Sequence, residues 1–292
     1  MWFTDQFSLQ GSLRWDYFRS QYNSVQWGID EGEAETTKLS PSFSAIWEPT
    51  SDAMFYASFG RTYRPVGTDI ATSSNALASE TPQNGLTNEP ERSDTYEIGT
   101  KLDFLDGRLG VTGAVFQINK DNAYTVDPTT GEITNAFSDN GEGRRIRGVE
   151  LGVTGKITED WLMNVAYAYL DGKVTTATTG SNVGNEAPGV PEHNVSVWTS
   201  YTLPEVASLP GRFSLGGGFQ YATSYWADSA NTARIPETFS LDAMVAYKQD
   251  NFRISLNGYN LTDHVNYESS FSTSRAVPSS RRTFMLNIGT TF

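Results

Sequence analysis

The sequence has 292 residues, no cysteine, 13% aromatic side chains and a formal net charge of −13. That charge excludes nucleic acid as a partner, because a phosphate backbone demands a basic surface. The lack of cysteine excludes a disulfide framework and a thiolate metal site. No stretch approaches the ~18 consecutive apolar residues of a membrane helix, but a membrane β-barrel meets this limit, since its strands are apolar only at alternate positions.

Phe7, Leu9, Gly11, Leu13, Trp15 and Tyr17 alternate with Ser8, Gln10, Ser12, Arg14 and Asp16. Strand side chains alternate between faces, so this segment has one apolar and one polar side. It is as long as a tilted membrane strand. The acidic segment with Asp30, Glu31, Glu33 and Glu35 reads as a long loop. Leu39 to Trp47 is the second strand, turning at Glu48 to Asp52. Ala53, Phe55, Ala57 and Phe59 give the third. After an aperiodic Ser-, Thr- and Pro-rich stretch, Tyr96, Ile98 and Leu102 open the fourth, which turns at Asp106-Gly107, a pair that accepts positive φ. Leu109, Val111 and Val115 begin the fifth; Phe116 and Ile118 fall in the opposite phase and predict a bulge.

Val149, Leu151 and Val153 mark the sixth strand, Trp161 to Tyr169 the seventh, and Val195, Val197 and Tyr201 the eighth. The ninth runs from Phe213 through Tyr221 to Tyr225. Phe239 to Tyr247, Phe252 to Leu256 and Phe284 to Phe292 complete a set of about twelve. Connections near 50, 106, 159, 207 and 250 are short, and those near 28, 77, 131, 182, 231 and 270 are long. A transmembrane barrel sorts its loops in this way, with short periplasmic turns and long extracellular loops, whereas a soluble sandwich or propeller has no reason to. Aromatics also collect in two bands: Trp47, Trp161, Tyr201, Tyr247, Phe252 and Phe292 toward the short turns, Tyr17, Phe59, Tyr169 and Tyr225 toward the long loops. The fold class is all-β, an antiparallel transmembrane β-barrel wall.

No catalytic constellation stands out. His193 and His264 read as solvated loop residues without a second ligand at metal spacing. Gly216-Gly217-Gly218 lacks the helix and lysine of a phosphate cradle and reads as strand glycines. Asp139 to Glu142 lacks the twelve-residue calcium spacing.

Local sequences carry a resemblance across nearly the whole chain: Tyr96-Glu97-Ile98-Gly99 with Lys101, Phe104 to Leu109, Arg147-Gly148-Val149-Glu150-Leu151, Tyr167 to Asp171, Asn260-Leu261-Thr262-Asp263 with Tyr267, and Arg282 through Phe292. In this order they resemble the TonB-dependent outer-membrane receptors, ferric-siderophore branch. The resemblance implies a 22-stranded barrel of the Gram-negative outer membrane around an amino-terminal plug that engages TonB. Residues 1–292 then correspond to the carboxy-terminal part, about twelve strands. The plug and a signal peptide are expected to be absent, since Met1 leads directly into a strand pattern.

The implied ligand is a transported ferric siderophore, with no covalent cofactor and no enzymatic activity. Partners are outer-membrane lipid and the TonB complex through the plug. Candidate mouth residues are Arg144, Arg145 and Arg147, Tyr63 with Arg64, and Tyr225 with Trp226, because guanidinium and aromatic groups attract an anionic chelate. The bland alternative pairs those arginines with anionic outer-leaflet lipid or loop carboxylates. Arg14, Asp16, Glu150, Asp242 and Arg253 lie on the polar phase and are expected in the lumen. The terminal Phe292 matches the aromatic end of such barrels. A self-contained twelve-stranded pore or outer-membrane barrel enzyme is the second reading.

Overall fold

The computed structural model describes residues 2–24, 29–64, 90–123, 141–177, 180–205 and 210–291. Among the described residues seventeen strands are formed: β1 (Trp2–Thr4), β2 (Phe7–Ser24), β3 (Ile29–Thr50), β4 (Ala53–Arg64), β5 (Glu91–Phe104), β6 (Leu109–Ala123), β7 (Glu142–Thr158), β8 (Trp161–Thr176), β9 (His193–Thr202), β10 (Arg212–Ala222), β11 (Tyr225–Trp226), β12 (Arg234–Ile235), β13 (Thr238–Gln249), β14 (Phe252–Tyr259), β15 (Tyr267–Ser272), β16 (Arg275–Pro278) and β17 (Thr283–Thr290). Thirteen form one antiparallel sheet in the order β1 to β10, β13, β14, β17. The pairs β11–β12 and β15–β16 are separate hairpins within outer connections. Among the described residues the sheet stays open, because β1 pairs only with β2, and β17 only with β14.

Register carries the apolar phase across the sheet. Leu13 sits opposite Pro41, Phe43 opposite Phe59, Ile98 opposite Val115, Leu151 opposite Tyr167, and Leu256 opposite both Val245 and Leu286. These side chains face away from the protein: Leu13 is 67% exposed, Ile98 64% and Ile288 65%. The fully buried apolar residues are small ones, such as Ala123, Val174 and Ala187. A soluble sandwich would bury the large apolar side chains between two sheets. Here a one-layer wall presents them outward, as lipid requires.

The short turns follow from their sequences. Leu105, Asp106 and Gly107 all adopt positive φ between β5 and β6, and the Arg108 amide donates to the Leu105 carbonyl over 3.2 Å. Asp250, at φ 48°, makes the tight turn between β13 and β14.

Four expectations are corrected. The acidic segment after residue 28 is strand, since β3 begins at Ile29 and pairs with β2 as far as Ser24. A strand of 18 residues, as β2 is, extends roughly 60 Å at ~3.3 Å per residue, about twice the membrane core. Beyond the membrane both faces meet water, so pairing persists while alternation disappears. No bulge interrupts β6 at Phe116, whose register with β5 is continuous from Leu109 to Asp121. Phe116 points inward because Gly148 opposite leaves room: a Cβ there would stand 2.5 Å from the Phe116 ring. Tyr225 is not part of the ninth strand, since β10 ends at Ala222 and Tyr225 pairs with Ile235. His193 is the first residue of β9 rather than a loop residue.

Gly216, Gly217 and Gly218 lie within β10. A Cβ at Gly216 would stand 2.8 Å from the Trp198 ring and one at Gly218 2.0 Å from the Val197 carbonyl oxygen, so these two glycines serve close packing. Phe292, Asp139 and Asn140 lie outside the described residues.

Candidate functional site

The inner face is built from the phase opposite the lipid-facing residues, and it is polar or small. Arg14 and Asp16 share it, with Arg14 Nε 2.8 Å from Asp16 Oδ2. The Tyr56 hydroxyl donates to Glu97 Oε1 over 2.6 Å. Three large rings on this face lie over glycines of a neighbouring strand: Tyr56 over Gly99, Phe116 over Gly148, and Trp198 over Gly216. Glu150 lines a hollow of about 600 Å³ with Thr112, Ala166, Ala168, Ser196 and Gln220. The hollow exists because Glu150 stands between Ala114 and Ala168 in register, and neither alanine fills the space beside it. Asp242 accepts from Ser240 Oγ (2.6 Å) and from the Asn260 amide (2.9 Å), tying β13 to the corner after β14. Arg253 lies on the inner phase beside Lys248, near a short turn.

At the outer end the candidate residues divide. Arg144 faces inward, and its Nε is 2.6 Å from Glu142 Oε1. Glu142 is 0% exposed and also accepts from Ser229 Oγ over 2.9 Å. Ser229 belongs to the β11–β12 hairpin, which is tied to the β8–β9 connection by further hydrogen bonds. Asn185 Nδ2 donates to the Ser229 carbonyl (2.9 Å), the Glu186 amide to Asn231 Oδ1 (2.9 Å), and the Gly189 amide to the Trp226 carbonyl (2.9 Å). Trp226 carries the Arg234 guanidinium 5.3 Å above its ring, and burial pushes the phenol pKa of Tyr225 up.

Arg145 and Arg147, by contrast, share the outward phase of Val149 and Leu151. Arg147 Nε donates to Gln117 Oε1 over 2.8 Å. The three arginines therefore do not form one cluster at the mouth, because adjacent strand positions face opposite sides. Tyr63 sits opposite Arg92 with the Lys38 ammonium 5.8 Å from its ring, and Arg64 sits opposite Glu91.

The histidines have packing partners. His193 Nδ1 is 3.0 Å from the Tyr167 hydroxyl, and its ring lies 5.3 Å from that of Tyr169. His264 is held by Asn260 and Asn266. Among the described residues no group of three or more His, Asp or Glu converges on a possible metal position.

Sequence reading missed the Tyr56–Glu97 pair, the Glu142–Arg144–Ser229 junction and the hollow at Glu150. Alternation places Tyr56 and Glu97 on the inner face, but only the register between strands brings them opposite Gly99 and Phe116.

An inward polar face, an outward apolar face and long connections at one end define a membrane barrel wall. Residues 2–261 match the model of the TonB dependent receptor-like β-barrel. The chain belongs to the TonB-dependent receptor β-barrel family. It is 31% identical over 303 residues to the probable TonB-dependent siderophore receptor PiuA of Acinetobacter baumannii, covering 98% of this chain and 38% of that protein. It is 30% identical over 295 residues to the probable TonB-dependent receptor BfrD of Bordetella pertussis, covering 97% of this chain and 38% of that protein. The crystal structure of the PiuA receptor superposes with a TM-score of 0.81 at 27% identity, over 98% of this chain and 41% of that one. The closed form of the ferric-catecholate import receptor Fiu of K12 E. coli shares the fold, with a TM-score of 0.77 at 22% identity over 99% of this chain and 43% of that one.

This chain thus spans 38% of the length of both curated relatives. TonB-dependent receptors are Gram-negative outer-membrane barrels, and the apolar outward phase places this wall in that membrane.

Proposed function

We propose that this chain forms one wall of a TonB-energised receptor that carries ferric siderophores across the outer membrane. The observation that carries the reading is the open thirteen-stranded sheet, polar inside and apolar outside, in a chain similar over nearly its whole length to a probable siderophore receptor. An open edge cannot persist in lipid, because its unpaired backbone groups have no partner there. In this reading further strands join β1 to β17 and a plug fills the lumen, touching Arg14, Asp16, Glu150, Asp242 and Arg253. The outer connections, with Tyr63, Arg64, Arg144, Tyr225 and Trp226, meet the chelate. Its iron is cargo rather than a resident cofactor, and the role is transport rather than catalysis.

The test is uptake of radio-iron siderophores by a receptor-deficient Gram-negative strain expressing the complete receptor that contains this wall. Uptake that requires TonB supports the reading. Uptake that persists without TonB, or passive leakage of small solutes, favours a pore.

A further inference from the structure

A connection that opens and closes has few buried apolar contacts and many solvent-exposed backbone bonds. The connection between β8 and β9 has the opposite traits. It folds back onto the inward phase of β8, where Val174 stands opposite Arg144. Val174 and Ala187 are each 1% exposed, and a Cβ at Gly172 would meet Val190 at 3.1 Å and Ala187 at 3.2 Å. Backbone pairing continues there. The Val174 amide donates to the Asn185 carbonyl (2.9 Å), the Gly184 amide to the Val174 carbonyl (2.9 Å), and the Ala187 amide to the Gly172 carbonyl (3.0 Å).

The β11–β12 hairpin is braced within itself before it docks. Asp228 is buried and accepts from the Thr232 and Ala233 amides, each over 3.0 Å, while the Ala227 amide donates to the Ala233 carbonyl (2.9 Å). Asn231, at φ 56°, then reaches the neighbouring connection. Its Oδ1 accepts from the Glu186 amide and its Nδ2 donates to the Glu186 carbonyl, both over 2.9 Å. One side chain thus satisfies both main-chain groups of a residue, as the partner in a hydrogen-bonded strand pair does. Glu186 also bridges Lys173 of β8, so the wall, the connection and the hairpin share residues. The bond from the Gly189 amide to the Trp226 carbonyl joins two main-chain groups, which no rotamer change can release.

We propose that the β8–β9 connection and the β11–β12 hairpin form one locked lobe that stays docked on the inner rim throughout transport. It is a fixed platform holding Tyr225 and Trp226 in place, not a lid. Opening it would uncover Val174 and Ala187 and take from buried Glu142 its Ser229 partner while breaking the Asn231 and Gly189 bonds together. A preformed surface spares the ligand the cost of ordering a loop. The inference rests on the transport reading above.

Hydrogen exchange on the complete receptor in detergent tests the coupling. Asn231→Gly keeps the positive φ and removes both bonds to Glu186. Exchange at the Ala187 and Ala227 amides, one in each part of the lobe, should accelerate together by about tenfold, the scale of the bonds removed. Acceleration at one of the two amides alone would overturn the single lobe. Transport tests the docking. The chain has no cysteine, so Glu186→Cys with Ala230→Cys, both exposed and next to the Asn231 contact, introduces a thiol pair that a short bismaleimide joins. Radio-iron is presented as tris-catecholate, tris-hydroxamate and citrate chelates, and the bridged receptor should take it up as fast as the unbridged pair. Uptake lost on bridging would overturn the proposal. No TonB-dependent uptake of any of the three by the unbridged pair would instead overturn the transport reading beneath it.

Discussion

Glu150 and Leu151 are neighbours in β7, and the wall assigns them opposite solvents. Leu151 is 52% exposed on the outward phase, while Glu150 lines the inner hollow. Leu151 lies four residues below Arg147, where the polar rows begin. At ~3.3 Å per residue and a tilt of ~40°, that is about 10 Å of depth, close to the middle of a ~25 Å apolar band. Leu151→Arg should therefore cost about 2–4 kcal/mol, the charge of arginine at the midplane, or roughly 30- to 1000-fold in the folding equilibrium. Glu150→Gln should stay within about 0.5 kcal/mol, as for a substitution in contact with water. The assay is denaturant titration in lipid vesicles, read by heat-modifiable gel mobility of the receptor containing this wall. Equal losses in the two variants, or a loss confined to Glu150→Gln, would refute the assignment of faces.

Gly148→Ala should cost about 1–3 kcal/mol, because the added Cβ meets the Phe116 ring at 2.5 Å and the Tyr169 carbonyl at 2.8 Å. Gly152→Ala should cost less, since its Cβ meets only the Thr112 side chain within 3 Å; denaturant midpoints of the two variants check the order. Ser229→Ala should weaken the tie between the β11–β12 hairpin and Glu142 by about 1 kcal/mol, seen as faster hydrogen exchange at the Ala227 amide, which bonds to the Ala233 carbonyl. At the corner after β14, the Arg281 guanidinium and then the Arg282 amide hold the Asp263 carboxyl below the usual aspartate range. A depressed folded pKa stabilises the corner above the unfolded value of ~3.9 and loses that contribution as pH falls through the folded value. Exchange at the Arg282 amide should accelerate at acid pH, and Asp263→Asn should abolish that dependence.

Alternation was legible wherever lipid enforces it. Leu13, Phe43, Ile98, Leu151 and Leu256 fall on one face of the sheet because each has the same phase in sequence and a matching partner across the ladder. Alternation was silent where water bathes both faces, which is why the upper arms of β2 and β3 read as a loop. Phe116 misled because an aromatic residue on the polar phase suggests a slipped register, whereas its ring lies over Gly148 on the next strand. The arginine group shows what the repeat does to neighbours in sequence. Arg144, Arg145 and Arg147 are close in sequence, yet the strand repeat sends the first inward and the other two outward. Interlocked connections such as Asn185 with Ser229 depend on side chains 44 positions apart, which no local pattern records.

The rings of Tyr56, Phe116 and Trp198 each occupy the side-chain space of a glycine on an adjacent strand. These three rings therefore lean over the neighbouring strand instead of standing out from their own. A body filling or sliding along that surface meets aromatic rings at these three places where side chains would otherwise stack beside one another. Any larger residue at Gly99, Gly148 or Gly216 would displace a ring, so a change of surface shape in the passage should accompany the loss of stability.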